Sequence, residues 1–274
     1  TLRDIGWVRY KEGFEQAAKK AGITALIQTG DQDPSQQASQ VENLLSEGID
    51  VLILAPQDAE AASSLVTAAH HAHVKVISLD RLILNSNVDF YISFDNEKVG
   101  ELQGKYLSEV SPKGNYILLS GAPTDNNSKA FKEGAMKYLN PLIKKGSIKV
   151  LMDQPIDDWQ PSAAQRLVEN SLTAHQNNVQ AILAPNDNTA GGVIQALASQ
   201  GLAKKVYVTG QDTELSALQR IVAGTQSMTV FKNQNELAEK AFGIAVNLAN
   251  GKVPAPSTRP IKNGKYTIPS LLLD

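Results

Sequence analysis

The chain has 274 residues, with 26 basic and 28 acidic side chains, no cysteine and a hydrophobic fraction of 42%. This length allows two domains of ordinary size, each with its own core. A formal net charge of -2 gives no indication of binding to nucleic acid or to an anionic membrane. The lack of cysteine excludes disulfide bonds, iron–sulfur clusters and thiol catalysis.

Short apolar runs alternate with segments of helical periodicity along the whole chain. Predicted strands cover residues 23–28, 51–56, 74–79, 88–94, 115–119, 149–152, 181–184, 206–209 and 228–231. Predicted helices cover residues 7–20, 34–47, 58–71, 98–108, 128–144, 162–173, 189–200, 215–222 and 236–249. This alternation indicates the α/β class with doubly wound parallel sheets. Because one sheet of so many strands would be unusually wide, we expect two sheets in two lobes.

Polar side chains follow the predicted strands, at the sheet edge where open α/β folds bind ligands. In the first half, Asp80 and Arg81 follow strand 74–79. In the second half, the side chains after five strands include Asp125, Asn127, Asn186, Asp212 and Lys232. Any one of them alone is as well explained by a turn salt bridge, a helix N-cap or an Asx turn. Their recurrence predicts a sugar or polyol site, because such groups both donate to and accept from hydroxyls.

The two tryptophans, Trp7 and Trp159, provide a second argument for a sugar site. Both lie in polar loop-to-helix contexts, where a core tryptophan would be unexpected, and one falls in each predicted lobe. An indole packs its apolar face against the C–H face of a pyranose. The pair could therefore sandwich a sugar ring; the alternative is two unrelated surface or core tryptophans.

The sequence gives little indication of a catalytic site or a metal site. The four histidines lack metal-ligand spacing, and no phosphate-binding or nucleophile motif is present. The carboxylates Asp157, Asp158 and Asp187 could in principle serve a glycosidase. Neighbouring hydrogen-bond groups would keep them ionised, which suits recognition more than acid catalysis. We therefore predict a binding protein without a metal or a cofactor, and not an enzyme.

Five stretches of the sequence carry a family resemblance. They are VDFYISFDNEKVGEL at 88–102, residues 121–128, NDNTAGGVIQAL at 186–197, residues 210–212 and GTQSMTVFK at 224–232. They resemble the ribose-binding-protein-like family of periplasmic proteins, and most closely its D-xylose binders from bacterial ABC transporters. The similarity runs along nearly the whole chain.

The resemblance implies a fold of two doubly wound parallel-sheet lobes, the type I periplasmic binding protein or Venus flytrap. Its three hinge crossings would fall near residues 95–96, 232–233 and 263–265. The N-terminal lobe would then hold residues 1–95 and 233–262. The C-terminal lobe would hold residues 96–232 and 263–274.

The resemblance also implies which residues hold the sugar. The positions at which the family makes polar contacts to the sugar are similar to Asp80, Arg81, Asp125, Asn127, Asn186, Asp212 and Lys232 of this chain. Those of its stacking indoles are similar to Trp7 and Trp159. Xylose binders usually carry a basic residue directly before the first tryptophan, where this chain has Gly6. Arg3 and Arg9 are the substitutes that the sequence offers, and Arg9 joins the candidate ligands.

The implied function is that of an extracytoplasmic solute-binding protein. It would bind a monosaccharide, with D-xylose as the first candidate, in the cleft between its lobes and would close around it. It would deliver the sugar to an ABC permease from the periplasm, or from the outer face of the membrane as a lipid-anchored protein. A similar protein can instead report sugar to a membrane histidine kinase. The effector domain of a LacI-type repressor is a further alternative, but no DNA-binding helix is visible.

The start of the sequence departs from the family pattern. The family has a central strand of the first sheet before the position of Leu2, and this chain begins at Thr1. Without that strand, two neighbouring strands would have unpaired backbone groups. We therefore expect about ten further residues, enough for one strand, upstream of Thr1, together with any signal or lipid anchor.

Overall fold

The computed structural model of the protein describes residues 5–252 and 260–274, which divide into two compact units. The first unit holds the chain up to Asp95, the segment Thr124–Asn126 and the chain from Asn233 onward. The second unit holds Asn96–Pro123 and Asn127–Lys232. The chain thus passes from one unit to the other next to Asp95 and Lys232.

The described residues form nine helices and ten strands, numbered here in chain order. The helices are α1 (Ile5–Ala21), α2 (Pro34–Ser46), α3 (Ser63–His71), α4 (Asn96–Val110), α5 (Asn126–Lys144), α6 (Pro161–Ala174), α7 (Asp187–Ser199), α8 (Leu215–Val222) and α9 (Gln234–Ala249). The strands are β1 (Val51–Leu54), β2 (Lys75–Leu79), β3 (Phe90–Phe94), β4 (Gly114–Ser120), β5 (Ile148–Pro155), β6 (Ala181–Leu183), β7 (Tyr207–Val208), β8 (Ile261–Asn263), β9 (Tyr266–Ile268) and β10 (Ser270–Leu273). None of the described helices is long and apolar enough to cross a membrane.

The first unit contains a parallel sheet with the order β1-β2-β3-β10. Successive side chains of a strand point to opposite faces of the sheet. Ile77 and Ile92 pack on one face against α1 and α9, whereas Val76 and Tyr91 pack on the other against α2 and α3. Because both faces are covered, the strands are apolar at nearly every position, which is the pattern seen in the sequence.

The C-terminal residues 263–274 belong to the first unit, so their predicted place in the second lobe is wrong. Strand β10 pairs in parallel with β3, with Ser270 opposite Tyr91. The side chain of Asn263 donates to the carbonyls of Ile83 and Ser86, each at 2.8 Å. A hinge crossing at 263–265 is wrong for the same reason, since this segment is bonded within one unit.

The second unit contains a parallel sheet with the order β5-β4-β6-β7. Ile117 and Leu119 of β4 pack against α6 and α7, and Tyr116 and Leu118 pack against α4 and α5. The strand predicted at 228–231 is wrong: among the described residues, Val230 makes an isolated parallel bridge with Gln211. The bridge lies just beyond the carboxyl end of β7.

The strand predicted at 23–28 is also wrong, because these residues lie in no strand. A cavity of about 660 Å³ separates them from β1, and side chains of α1, α2 and α9 line it. Ile23 and Leu26 in this segment are 44% and 43% exposed. The expected strand upstream of Thr1 stays a prediction.

Candidate ligand-binding site

Asp80 is held in an unusual backbone conformation directly after β2. Its φ is +59°, a left-handed value that is uncommon outside glycine. Its N–H donates to the Ile92 carbonyl at 2.7 Å, and its carbonyl accepts from Ser93 Oγ at 2.6 Å and the Tyr91 hydroxyl at 3.1 Å. The Tyr10 hydroxyl donates to Oδ2 of its carboxylate at 2.7 Å. The Asp80 carboxylate is therefore fixed before any ligand arrives.

Arg81 joins the other predicted residues of the first unit into one cluster. Its Nε lies 2.8 Å from Oδ2 of Asp125, and the two side chains are only 14% and 3% exposed. Its guanidinium carbon lies 5.3 Å from the centroid of the Trp7 ring. Trp7 in turn lies 5.3 Å from the ring of Tyr10, centroid to centroid. An indole, a forked donor and two carboxylates in one place match the chemistry of a sugar ring with its hydroxyls.

Tyr10 was not predicted from the sequence as part of this cluster, whereas Arg9 was. On α1, Tyr10 follows Trp7 by three residues and shares its face. Arg9 follows Trp7 by two residues and projects about 200° around the helix from it. The helix thus turns Arg9 away from Trp7 and puts Tyr10 beside it. Arg3, the other substitute for a basic residue at Gly6, lies outside the described residues.

Trp159 lies at the end of a 3₁₀ turn, Asp157–Trp159, after β5. Asp158 and Trp159 have φ values of +50° and +57°, so two consecutive residues are left-handed. The Trp159 ring packs edge-on to Phe131, with centroids 6.4 Å apart. Its indole Nε1 is buried and has no acceptor among the described residues. Because buried polar groups are nearly always bonded, this N–H is suited to donate to a ligand.

Lys232 and Asp212 form a nearly buried ion pair in the second unit. Lys232 Nζ lies 3.3 Å from Oδ1 of Asp212, and the lysine side chain is 7% exposed. The same Nζ lies 5.7 Å from the Phe131 ring centroid, a cation–π distance. Phe131 thus touches both Trp159 and Lys232, and this aromatic residue was missed in the sequence. Phe131 lies inside α5 and not at a strand end, so the pattern of residues after strands gave no signal for it.

Asn127 and Asn186, two further predicted residues, differ in the roles that the structure gives them. Asn127 is buried, and its Oδ1 accepts from Nδ2 of Asn96 at 2.9 Å. Asn186 is the N-cap of α7, with Oδ1 accepting from the Thr189 N–H at 3.0 Å and from its hydroxyl at 2.7 Å. Any hydrogen bond from the Asn186 side chain to a ligand would therefore come from its amide nitrogen.

Asp187 is a fully buried carboxyl group at the start of α7. Burial raises the pKa of Asp187 above its ordinary value, although hydrogen bonds from Glu214, Gln226 and Thr229 act in the opposite direction. Asp157 and Asp158, the other carboxylates considered for catalysis, are exposed. The described residues contain no group of three or more His, Cys, Asp or Glu side chains that could hold a metal ion.

Two doubly wound α/β units on one chain are the architecture of type I periplasmic binding proteins, and this is the class to which the fold belongs. Residues 2–253 match the Periplasmic binding protein domain family. The chain belongs to that family. The resemblance seen in the sequence is thereby confirmed.

Several relatives of the chain are named as sugar-binding proteins. It is 47% identical to the D-xylose-binding periplasmic protein of Haemophilus influenzae, across 100% of this chain and 82% of the relative. It is 45% identical to the D-xylose-binding periplasmic protein of Escherichia coli, across 99% of this chain and 82% of the relative. Among solved structures, a carbohydrate transporter solute binding protein from Chloroflexus aurantiacus in complex with D-glucose has a TM-score of 0.93 and 33% identity. That match covers 99% of this chain and 88% of the other.

Proposed function

We propose that the protein is an extracytoplasmic solute-binding protein for D-xylose. The observation that carries this proposal is identity of 47% and 45%, along essentially the whole chain, to two proteins that are named for D-xylose binding. The site chemistry supports it, because each unit gathers an indole, a cation and carboxylate or amide groups beside the ends of its strands. That combination binds a polyhydroxylated ring without any reaction.

The proposed sugar contacts are divided between the two units. The first unit contributes Trp7, Asp80, Arg81 and Asp125, and the second contributes Asn127, Trp159, Asn186, Asp212 and Lys232. In this assignment the indoles stack on the C–H faces of the ring. Arg81 and Lys232 donate to ring and hydroxyl oxygens, and the carboxylates accept from hydroxyls in charge-assisted bonds.

The sugar acts in this proposal as a ligand that selects one conformation of the protein. Because the contacts come from both units, the sugar has higher affinity for the conformation in which all of them reach it, and shifts the population toward it. The partner that reads this conformation is an ABC permease in the membrane. The protein works outside the cytoplasm, in the periplasm or lipid-anchored on the outer face of the membrane.

Titration of the purified protein with D-xylose, D-ribose, L-arabinose and D-glucose tests the proposal. Calorimetry gives the affinities, and tryptophan fluorescence reports on Trp7 and Trp159, the only tryptophans of the chain. We expect saturable binding of D-xylose, tighter than that of the other three sugars, with a spectral change. Tighter binding of another sugar would overturn the assignment to xylose. Absence of binding by all four would overturn the sugar-binding function itself.

Two variants separate the contributions of the two units. Arg81→Ala removes the guanidinium of the first unit, and Lys232→Ala removes the cation of the second. Each is expected to weaken xylose binding by tenfold or more, about 1.4 kcal/mol. Arg166→Ala is the matched control, because Arg166 is exposed on α6. If one of the two site variants bound like the control, the cation that it removes would take no part in binding.

A further inference from the structure

The carboxylate of Asp187 connects three segments of the second unit, and none of its bonds goes to a proposed sugar contact. Oδ2 accepts from the Glu214 N–H at 3.0 Å and from the Thr229 hydroxyl at 2.8 Å. Oδ1 accepts from Nε2 of Gln226 at 2.7 Å. A single buried side chain thereby joins the start of α7 to the residues on both sides of α8.

Arg220 of α8 adds a second connection to the same point. Its Nη2 donates to the backbone carbonyl of Asp187 at 2.7 Å, and its Nε donates to Oε1 of Gln226 at 2.9 Å. The guanidinium and the carboxylate therefore share Gln226 as a common partner. Such networks are worth most when every member is bonded, as the members named here are.

The segments joined by Asp187 are those that carry Asp212 and lead to Lys232. Asp212 and Thr213 have φ values of +93° and +53°, so the backbone is left-handed at two consecutive residues. Conformations of this kind persist only where the surroundings enforce them. The Asp212 N–H donates to the Val230 carbonyl at 2.9 Å, and the Thr213 N–H donates to Thr229 Oγ1 at 3.3 Å. Thr229 is itself bonded to Asp187, so the two segments are held together beside Asp212.

Gly210 shows how closely the backbone approaches this carboxylate. A Cβ atom at this position would lie 2.1 Å from Oδ1 of Asp187 and 2.4 Å from Nε2 of Gln226. Any side chain there would displace the network. The turn that carries Asp212 is therefore shaped around the carboxylate of Asp187.

We propose that Asp187 is a positioning residue for ligand binding: it holds residues 210–214 and 226–230 in the arrangement that places Asp212 beside Lys232. This inference rests on the proposed function, in which Asp212 and Lys232 contact the sugar. Asp187 does not touch the ligand. It acts by fixing the Asp212 carboxylate before the sugar arrives, which lowers the ordering cost of binding.

The first test needs no sugar. Amide hydrogen exchange is measured for Asp187→Asn and for the milder Thr229→Val, which deletes one donor to the carboxylate. We expect faster exchange at residues 210–214 and 226–232, with the rest of the second unit unchanged. Tyr116→Phe is the control: it removes a buried hydroxyl that donates to the carbonyls of Leu107 and Ser111 in the same unit. Unchanged exchange at 210–214 in both Asp187→Asn and Thr229→Val would overturn the proposal.

The second test is a double-mutant cycle with D-xylose as the probe. Asp187→Asn is expected to weaken binding about tenfold in the natural background and to have little further effect in an Asp212→Asn background. A purely structural role would instead give the same loss in both backgrounds, and would overturn positioning. If the natural protein bound no sugar while exchange still rose at 210–214, the proposed function would fail, and Asp187 would hold this turn for some other purpose than sugar binding.

Discussion

Arg81 and Asp125 are joined by a bond of 2.8 Å between Nε and Oδ2, with the Asp125 side chain buried and the Arg81 side chain mostly so. A buried ion pair stabilises a fold only when its remaining groups are also satisfied. Arg81 meets this condition in part through Nη1, which donates to the Pro56 carbonyl at 3.3 Å, and through its position over the Trp7 ring. The orientation of the guanidinium is therefore fixed on three sides.

Replacing Arg81 by lysine tests the importance of this fixed geometry. Arg81→Lys keeps the positive charge but loses the planar fork that lets one side chain bond Asp125 and a sugar at once. We expect the Kd for D-xylose, measured by calorimetry, to rise about tenfold. Arg166→Lys on the exposed face of α6 should leave the Kd unchanged. Equal affinity of Arg81→Lys and the natural protein would show that charge alone is sufficient.

The Tyr10 hydroxyl supports the Asp80 carboxylate from α1. Tyr10→Phe deletes this donor inside a buried site, and we expect the free energy of unfolding to fall by about 1 to 3 kcal/mol. Xylose affinity should fall as well, because Asp80 loses the bond that orients it. Urea unfolding and calorimetry measure the two effects. Tyr207→Phe, at an exposed tyrosine, should change neither quantity, and a silent Tyr10→Phe would contradict the role given to this hydroxyl.

Gly121 lies directly against the ring of the Trp159 indole. A Cβ atom there would lie 2.1 Å from the nearest ring carbon, so the ring must move to admit a methyl group. We expect Gly121→Ala to weaken xylose binding by about tenfold and to change the fluorescence response of the protein to the sugar.

Gly243 provides the matched control for this substitution. It lies within α9, and apart from the neighbouring backbone of that helix no atom lies within 4 Å of the place where its Cβ would be. Gly243→Ala should leave binding unchanged and raise the free energy of unfolding by about 0.5 to 1 kcal/mol. Normal binding by Gly121→Ala would mean that the indole position does not matter to the ligand.

Asp89 makes the stability of the first unit depend on pH. Burial alone would raise the pKa of Asp89, but hydrogen bonds from the Val76 N–H, His70 and Lys75 together lower it below the ordinary value of 3.8. A lowered pKa in the folded state means stability that is present above the unfolded value and lost as pH falls through the folded value.

Asp89→Asn should accordingly reduce the free energy of unfolding at pH 7, by about 1 to 2 kcal/mol. The difference from the natural protein should shrink as the pH falls below 3.8, where the natural carboxyl group becomes protonated as well. Urea unfolding at pH 7 and at a pH below 3.8 measures this difference in the free energy of unfolding. Asp50→Asn, at an exposed position, is the control, and a difference that did not depend on pH would contradict the assignment.

The sequence was most informative where strands end. Asp80, Arg81 and Asp125 were predicted from their positions after apolar runs. The structure brings Arg81 and Asp125 into contact although β2 and β4 belong to different sheets, because the segment Thr124–Asn126 lies with the first unit. Tyr10 and Phe131 were missed, because an aromatic residue on an apolar helix face looks the same whether it packs in a core or beside a site. Asn186 also follows a strand, but its side chain caps α7, so a position after a strand does not by itself identify a ligand contact.

The errors in the fold have a common physical origin. Residues 23–28 have the composition of a strand, but a strand forms only where a neighbour pairs with it, and no pairing partner lies beside them among the described residues. Residues 228–231 make a single bridge, to Gln211, because the backbone of the partner segment turns left-handed at Asp212 and Thr213. The resemblance placed residues 263–274 in the second lobe, whereas β10 pairs with β3 of the first unit, and pairing over such a long sequence separation leaves no mark on local composition.

The cavity beside β1 has a consequence for how the protein behaves at high concentration. Within the described residues, β1 pairs with β2 on one side, and its other side faces an apolar space of about 660 Å³. A strand edge beside a mainly apolar space can pair with an extended chain, including that of a neighbouring molecule. If this edge pairs between molecules, the apparent molar mass from light scattering rises with protein concentration, whether or not sugar is present.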